Sequence, residues 1–181
     1  FSNISQTSGL NNTDFGFGTL GAGISFYDFN EDGLDDITMA TDTPQNVRFF
    51  ENTGNGFNEI LINGINAPYQ NKSVIWVDYD NDGDLDFYVT NYLASNHLYQ
   101  NDGNYNFTEV SQSAGLTESF IRSWGASWAD YDKDGDLDLL ILHRDGLNQT
   151  EYNILYQNNG DGTFTDVTAF AGLSLQNHLS F

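Results

Sequence analysis

One nine-residue phrase occurs three times in this chain without a gap: Asp28-Phe-Asn-Glu-Asp-Gly-Leu-Asp-Asp36, Asp78-Tyr-Asp-Asn-Asp-Gly-Asp-Leu-Asp86 and Asp130-Tyr-Asp-Lys-Asp-Gly-Asp-Leu-Asp138. The starts lie 50 and 52 residues apart. A second phrase follows each: Phe50-Glu-Asn-Thr-Gly-Asn-Gly-Phe57, Tyr99-Gln-Asn-Asp-Gly-Asn-Tyr-Asn-Phe107 and Tyr156-Gln-Asn-Asn-Gly-Asp-Gly-Thr-Phe164. A third comes after that, as Phe107-Thr-Glu-Val…Ala-Gly-Leu116 and Phe164-Thr-Asp-Val…Ala-Gly-Leu173, and the chain opens on its likeness, Phe1-Ser-Asn-Ile…Ser-Gly-Leu10. Ordered phrases at a fixed period mean that one supersecondary unit is built several times and stacked.

Each period reads as four short strands, in the middle copy Val74–Val77, Phe87–Asn91, His97–Gln100 and Asn106–Val110. They are aromatic and β-branched, and Gly/Asn/Asp clusters separate them. The Asn-Gly and Asp-Gly steps supply the positive-φ residues that hairpin turns need. No window holds a 3.6-residue apolar period, so the expected class is all-β. Four antiparallel strands per ~40–50 residues is the spacing of propeller blades. The blades are expected near residues 18–61, 73–112 and 123–170, with 1–10 as the outer strand of a preceding or closing blade and 174–181 opening another. Three blades are fewer than the 4–8 that close a ring. The arc is therefore expected to meet remaining blades of a parent chain, or to self-associate. The start at Phe1, with Met39 the sole methionine, reads as a processed or excised piece.

Charge narrows the function. Five Lys+Arg against 26 Asp+Glu give −21, and 15 of those acids lie in the three nine-residue loops. A chain this acidic lacks the basic stripe of a nucleic-acid binder, and equally the cations that hold a protein to anionic lipid. Its 15% aromatic content contradicts disorder. With no cysteine there is no disulfide, thiolate metal site or Cys nucleophile. Leu139–Leu142 is the longest aliphatic run, too short to insert in a membrane, and no signal-peptide pattern is present.

The loops read as cation sites. Positions 1, 3, 5 and 9 carry oxygen ligands: Asp28, Asn30, Asp32, Asp36; Asp78, Asp80, Asp82, Asp86; Asp130, Asp132, Asp134, Asp138. Gly33, Gly83 and Gly135 make the turn at position 6, and the backbone carbonyls of Leu34, Asp84 and Asp136 at position 7 are the natural fifth ligand. Oxygen donors of flexible number favour Ca²⁺ over Mg²⁺ and disfavour zinc, so three Ca²⁺ sites are expected. An EF-hand would need a bidentate Glu at position 12, where Met39, Val89 and Ile141 stand. Asp-rich turns alone would explain one such loop, but three would repel themselves without a cation. With three loop carboxylates against four, the Asn30 site is expected to be weakest.

The run Trp128-Ala-Asp-Tyr-Asp-Lys-Asp-Gly-Asp-Leu-Asp-Leu-Leu140, then Leu155-Tyr-Gln-Asn-Asn-Gly-Asp-Gly-Thr-Phe-Thr-Asp-Val167 and Ala171-Gly-Leu173, resembles the FG-GAP/VCBS-type repeats of integrin-α-like propellers. The ending Phe-Thr-Asp-Val…Ala-Gly-Leu looks closest to the secreted cartilage-acidic-protein (ASPIC/UnbV-associated) group. That resemblance implies a seven-bladed extracellular propeller with Ca²⁺ in its blade loops, held at the twelve side-chain positions named above. The first copy departs most from the pattern, through Asn30 and the missing Gly-Leu phrase after Phe57.

Other chemistry is thin. His97, His143 and His178 share no motif, and no G-x-S-x-G elbow occurs, so no enzyme activity is expected. Trp76 and Trp128, two residues before an acidic loop, read as blade packing, whereas Trp124 has no aromatic counterpart and is the better ligand contact. Asn3-Ile-Ser5 and Asn106-Phe-Thr108 are sequons of the kind an Asn-rich chain contains by chance. The expected function is a secreted or extracellular (cell-surface or periplasmic) calcium-stiffened module for adhesion or for binding a protein or glycan. The alternative is the scaffold of a secreted carbohydrate-active enzyme.

Overall fold

The computed structural model describes residues 3, 5, 7–10, 23–42, 46–67, 69–118, 122–143 and 153–173. Twelve strands form three sheets, each of four consecutive antiparallel strands. Blade 1 contains β1 (Ile24–Tyr27), β2 (Asp36–Met39), β3 (Arg48–Asn52) and β4 (Phe57–Ile60). Blade 2 contains β5 (Gln70–Val77), β6 (Asp86–Tyr92), β7 (His97–Asn101) and β8 (Phe107–Glu109). Blade 3 contains β9 (Ser123–Ala129), β10 (Asp138–His143), β11 (Ile154–Asn158) and β12 (Phe164–Asp166). There is no helix among the described residues, hence none long and apolar enough to cross a membrane.

The register is the same in each blade. Tyr27 pairs with Asp36, Val77 with Asp86 and Ala129 with Asp138, so each acidic phrase connects the first strand to the second. Strand β5 starts four residues before the expected Val74, with a bulge between Asn71 and Ser73. Gln70-Asn71-Lys72 is polar and reads as loop, yet the fold satisfies it. The Asn71 amide donates to Thr41 O (2.9 Å), its side chain donates to Ala67 O (2.9 Å), and the Lys72 ammonium lies 5.7 Å from the ring centroids of Tyr92 and Trp124. Residues 11–22 and 174–181 of the expected organisation lie outside the described residues, as do 1, 2, 4 and 6 of the leading segment, whose Ser5 and 7–10 form a turn.

Apolar side chains gather between blades. Phe29, Ala40, Val47 and Phe49 of blade 1 meet Val74, Trp76, Phe87 and Val89 of blade 2. Tyr79, Tyr88 and Leu98 of blade 2 meet Leu139, Ile141 and Tyr156 of blade 3, with Trp128 against them. Trp76 and Trp128, expected to pack in the blade core, do so at the faces where blades meet: Trp76 stacks on Phe29 (5.2 Å, 19°), and Trp128 stands edge-on to Tyr88 (5.9 Å, 85°). Each fully buried side chain of this size contributes roughly 1.5–3 kcal/mol, so these junctions dominate the stability of the arc.

The outer edge of each junction has its own closure. Ser8 O accepts the Phe57 amide (2.7 Å), Asn63 O that of Phe107 (3.4 Å) and Ala114 O that of Phe164 (2.8 Å). The next residue is Gly9, Gly64 or Gly115, each with φ between 83° and 86°. A Cβ there would lie 2.1, 1.8 or 2.9 Å from the carbonyl oxygen of the same phenylalanine, so glycine is required both by space and by conformation.

Candidate metal centre

Each acidic loop is organised around its ninth residue. Asp36, Asp86 and Asp138 are buried at the first position of the second strand. Oδ2 of each accepts the amide of its own loop's second residue, Phe29 (3.2 Å), Tyr79 (3.2 Å) or Tyr131 (3.0 Å). Oδ1 accepts an amide from the third strand, that of Asn52 (2.7 Å), Asn101 (2.8 Å) or Asn158 (2.9 Å). These carboxylates fasten the loop to the sheet while contributing negative charge to its interior.

The rest of each loop folds over its own acids. Asp28, Asp78 and Asp130 accept the amides of Gly33 (2.8 Å), Gly83 (3.2 Å) and Gly135 (3.2 Å). Asp32, Asp82 and Asp134 accept those of Leu34 (2.9 Å), Asp84 (2.9 Å) and Asp136 (3.0 Å), fixing the peptide that enters position 7. The chain passes through the left-handed region at Glu31, Asn81 and Lys133 (φ 59°, 59°, 66°) and again at the following glycines (φ 90°, 93°, 101°). No atom would touch a Cβ on those glycines, so conformation alone selects them.

Carboxylate oxygens of Asp78, Asp80 and Asp86 lie within 4.8 Å of one another, as do those of Asp130, Asp132 and Asp138. The tight groups thus comprise positions 1, 3 and 9, with Asp82 and Asp134 at position 5 beside them. Burial pushes the Asp86 carboxyl up to about 7, against two backbone hydrogen bonds that lower it, and repulsion from Asp80 and Asp82 adds to the rise. Asp36, Asp80 and Asp138 are also raised, again mainly by burial. Asp78 Oδ1 is buried with no hydrogen-bond partner, although it sits among carboxylates. An orphaned anionic oxygen and crowded acids are what a divalent cation would satisfy, and the all-oxygen donor set suits Ca²⁺.

Sequence reasoning missed three residues on the third strands. Gln100 Nε2 donates to Asp80 Oδ2 (2.7 Å) and Gln157 Nε2 to Asp132 Oδ2 (2.6 Å). At the same place in blade 1 the pair is exchanged: Asn30 Nδ2 donates to Glu51 Oε1 (3.1 Å). The amide and the acid have swapped strands. Glu51 thus brings a further carboxylate to the first loop, but among the described residues the acids there form no group as close as those of the other two loops. The signal was present in the aligned Phe50-Glu51, Tyr99-Gln100 and Tyr156-Gln157, but strand residues do not announce a reach into a distant loop.

The remaining candidates lie elsewhere. His97 stacks on Tyr69 (5.7 Å) with Nδ1 3.5 Å from Glu109 Oε1; Trp124 stands edge-on to Tyr92 (6.1 Å); His143 ends β10; His178 is outside the described residues.

Comparison with known proteins agrees with the repeat. The profile of the FG-GAP-like repeat matches residues 28–89 and again 78–141. Cartilage acidic protein 1 of Xenopus tropicalis is 27% identical over 139 residues, covering 71% of this chain and 22% of that protein. The Mus musculus protein of the same name is 27% identical over 140 residues, with the same coverage, and the Homo sapiens protein matches likewise over 140 residues and 21% of its length. The chain thus spans about a fifth of the length of these curated relatives. On the repeated acidic hairpins, the four-stranded blades and these matches, the chain belongs to the FG-GAP-like repeat family.

Proposed function

We propose that this chain is a calcium-binding propeller module that works outside the cell, without catalysis, by presenting a stiffened surface to a protein or glycan. Asp78 Oδ1 carries the calcium reading: it is a buried carboxylate oxygen with no hydrogen-bond partner, inside a cluster with Asp80 and Asp86. Asp28, Asn30, Asp32 and Asp36, the corresponding Asp78, Asp80, Asp82 and Asp86, and Asp130, Asp132, Asp134 and Asp138 would hold the three ions, with the carbonyls of Leu34, Asp84 and Asp136 as further ligands. A bound ion supplies the positive charge that lets these acids sit together ionised, and so rigidifies the hairpin between first and second strands.

The binding role is supported by the family, whose repeat matches residues 28–89 and 78–141. An ion held at 100 times its dissociation constant adds about 2.7 kcal/mol to folding stability. Thermal unfolding in calcium and in chelator tests the first part, and an unchanged midpoint would reject it. Screening the calcium-loaded chain against immobilised glycans and matrix proteins tests the second. Saturable binding without turnover supports the module, and cleavage of a polysaccharide would replace it with the enzyme-scaffold reading.

A further inference from the structure

The outer strands of the first two blades carry an acid at the same register. Glu59 pairs with Phe50 across β4 and β3, and Glu109 with Tyr99 across β8 and β7. In blade 1 the acid has a basic partner from its own sheet. Arg48 Nε and Nη2 donate to Glu59 Oε1 and Oε2 at 2.7 and 2.8 Å, beside a cavity of about 160 Å³. In blade 2 the residue at the place of Arg48 is His97, whose Nδ1 lies 3.5 Å from Glu109 Oε1 and whose ring stacks on Tyr69. The cavity there is about 340 Å³.

Blade 2 also adds a second acid. Glu118 stands three residues past Gly115, the glycine of the latch between blades 2 and 3, where blade 1 has the buried Ala67 three past Gly64. Glu118 lines the cavity together with Glu109, yet only 8% of it is exposed. Its Oε1 accepts the Tyr88 hydroxyl (3.4 Å), and its Oε2 is buried with no hydrogen-bond partner. Burial pushes the carboxyl up to about 7, and repulsion from Asp166 adds to the rise. No Lys or Arg is among the described residues that line the cavity. The third copy has Leu175 at this place in its sequence, so the acid belongs to this cavity and not to the repeat.

The acceptors left over define the guest. The buried amide of Asn96 is spent: Nδ2 donates to Ser123 Oγ (2.9 Å) and Oδ1 accepts the Asn91 amide (2.8 Å). A neutral sugar would leave two carboxylates without a counter-charge. Glu109 Oε1 is taken by the Ser111 amide (3.1 Å), as Glu118 Oε1 is by Tyr88, so each acid offers one oxygen. That suits a point-like ammonium. The planar fork of a guanidinium wants both oxygens of one acid, as Arg48 finds on Glu59.

We propose that this cavity, at the end of blade 2 away from its acidic loop, takes the ammonium of a lysine side chain presented by a partner protein. The charge stands between Glu109 and Glu118, and the alkyl stem lies along Leu116 in the same cavity. On the reading of the chain as a binding module, on which this rests, the partner is then a protein rather than a glycan, and the calcium loops take no part.

The test titrates the calcium-saturated chain with Nα-acetyl-lysine methylamide and follows the backbone amide resonances of Ser111 and Glu118. Saturable shifts with roughly millimolar affinity are expected. Glu118→Gln should weaken binding at least tenfold, and Glu109→Gln, on the outer strand, several-fold. The Nε-acetylated ligand, which has lost its charge, should bind the unaltered chain at least tenfold more weakly, a comparison that needs no variant to fold. Equal binding of the Nε-acetylated ligand or of the arginine analogue overturns the proposal, and so do shifts that survive Glu118→Gln. Binding of n-butylammonium with exclusion of the blocked lysine also overturns it, since the cavity then belongs to a free amine. Capture of a matrix protein or glycan that Glu118→Gln leaves unchanged would strike this pocket alone and leave the binding module standing.

Discussion

Trp76 Nε1 donates a 3.0 Å hydrogen bond to Thr38 Oγ1 from the first strand of blade 2 to the second strand of blade 1. The indole is wedged between Phe29 and Phe87, with centroids 5.2 and 5.1 Å away. Trp76→Ala should cost about 3–5 kcal/mol, chiefly through the cavity. Thr38→Val keeps the shape and orphans the indole N–H, and should cost about 1–3 kcal/mol. Denaturant unfolding in saturating calcium separates the two. Equal costs would place the stability of this junction in the hydrogen bond rather than in packing.

Glu51, on β3, reaches the first acidic loop and accepts a hydrogen bond from Asn30 Nδ2. If that carboxylate helps hold the ion, Glu51→Gln should weaken calcium binding at the first loop by on the order of tenfold, with the other two loops unchanged. Calcium titration followed by the backbone resonances of Gly33, Gly83 and Gly135 reads the three loops apart. An unaltered midpoint at Gly33 would remove Glu51 from the site.

The blades were legible because strand period, turn residues and repeat spacing all point to one architecture. The acidic loops were legible because Asp, Gly and their spacing carry their own chemistry. What could not be read was anything dependent on contact between distant segments. Gln70-Asn71-Lys72 looks like loop until Thr41 O and the Tyr92 and Trp124 rings stand opposite it. Gln100, Gln157 and Glu51 look like ordinary strand residues until the sheet register brings them over position 3. The double duty of Asp36, Asp86 and Asp138 as strand anchors was invisible for the same reason.

Glu118 gives a pH dependence outside the metal loops. Burial raises its carboxyl from 4.5 to about 7, Tyr88 OH lies 3.4 Å from Oε1, and Oε2 has no hydrogen-bond partner. A carboxyl raised on folding favours the folded state while protonated. Its contribution is present below pH 4.5 and is lost as pH rises to about 7, a fall of roughly 3 kcal/mol. Urea unfolding at fixed saturating calcium should show this decline in the native chain and a flatter profile in Glu118→Gln. Parallel profiles would mean that Glu118 stays ionised throughout.

The latch glycines should differ in their tolerance of a side chain. Gly64→Asn places a Cβ where the Phe107 carbonyl oxygen stands 1.8 Å away, and should lower the melting midpoint by several degrees. Gly33→Asn meets open space at φ 90° and should cost far less. Similar losses at both positions would mean that conformation, not the close approach of the blades, selects glycine at the latch.

The central claim is that the acidic hairpins hold calcium, and isothermal calcium titration of the intact chain tests it most directly. Three ions per chain are expected, falling to two in Asp80→Ala and to one when Asp132→Ala is added. Both substitutions spare the position-9 carboxylates that anchor the strands. No saturable binding at millimolar calcium, or a stoichiometry untouched by the two substitutions, would contradict the account.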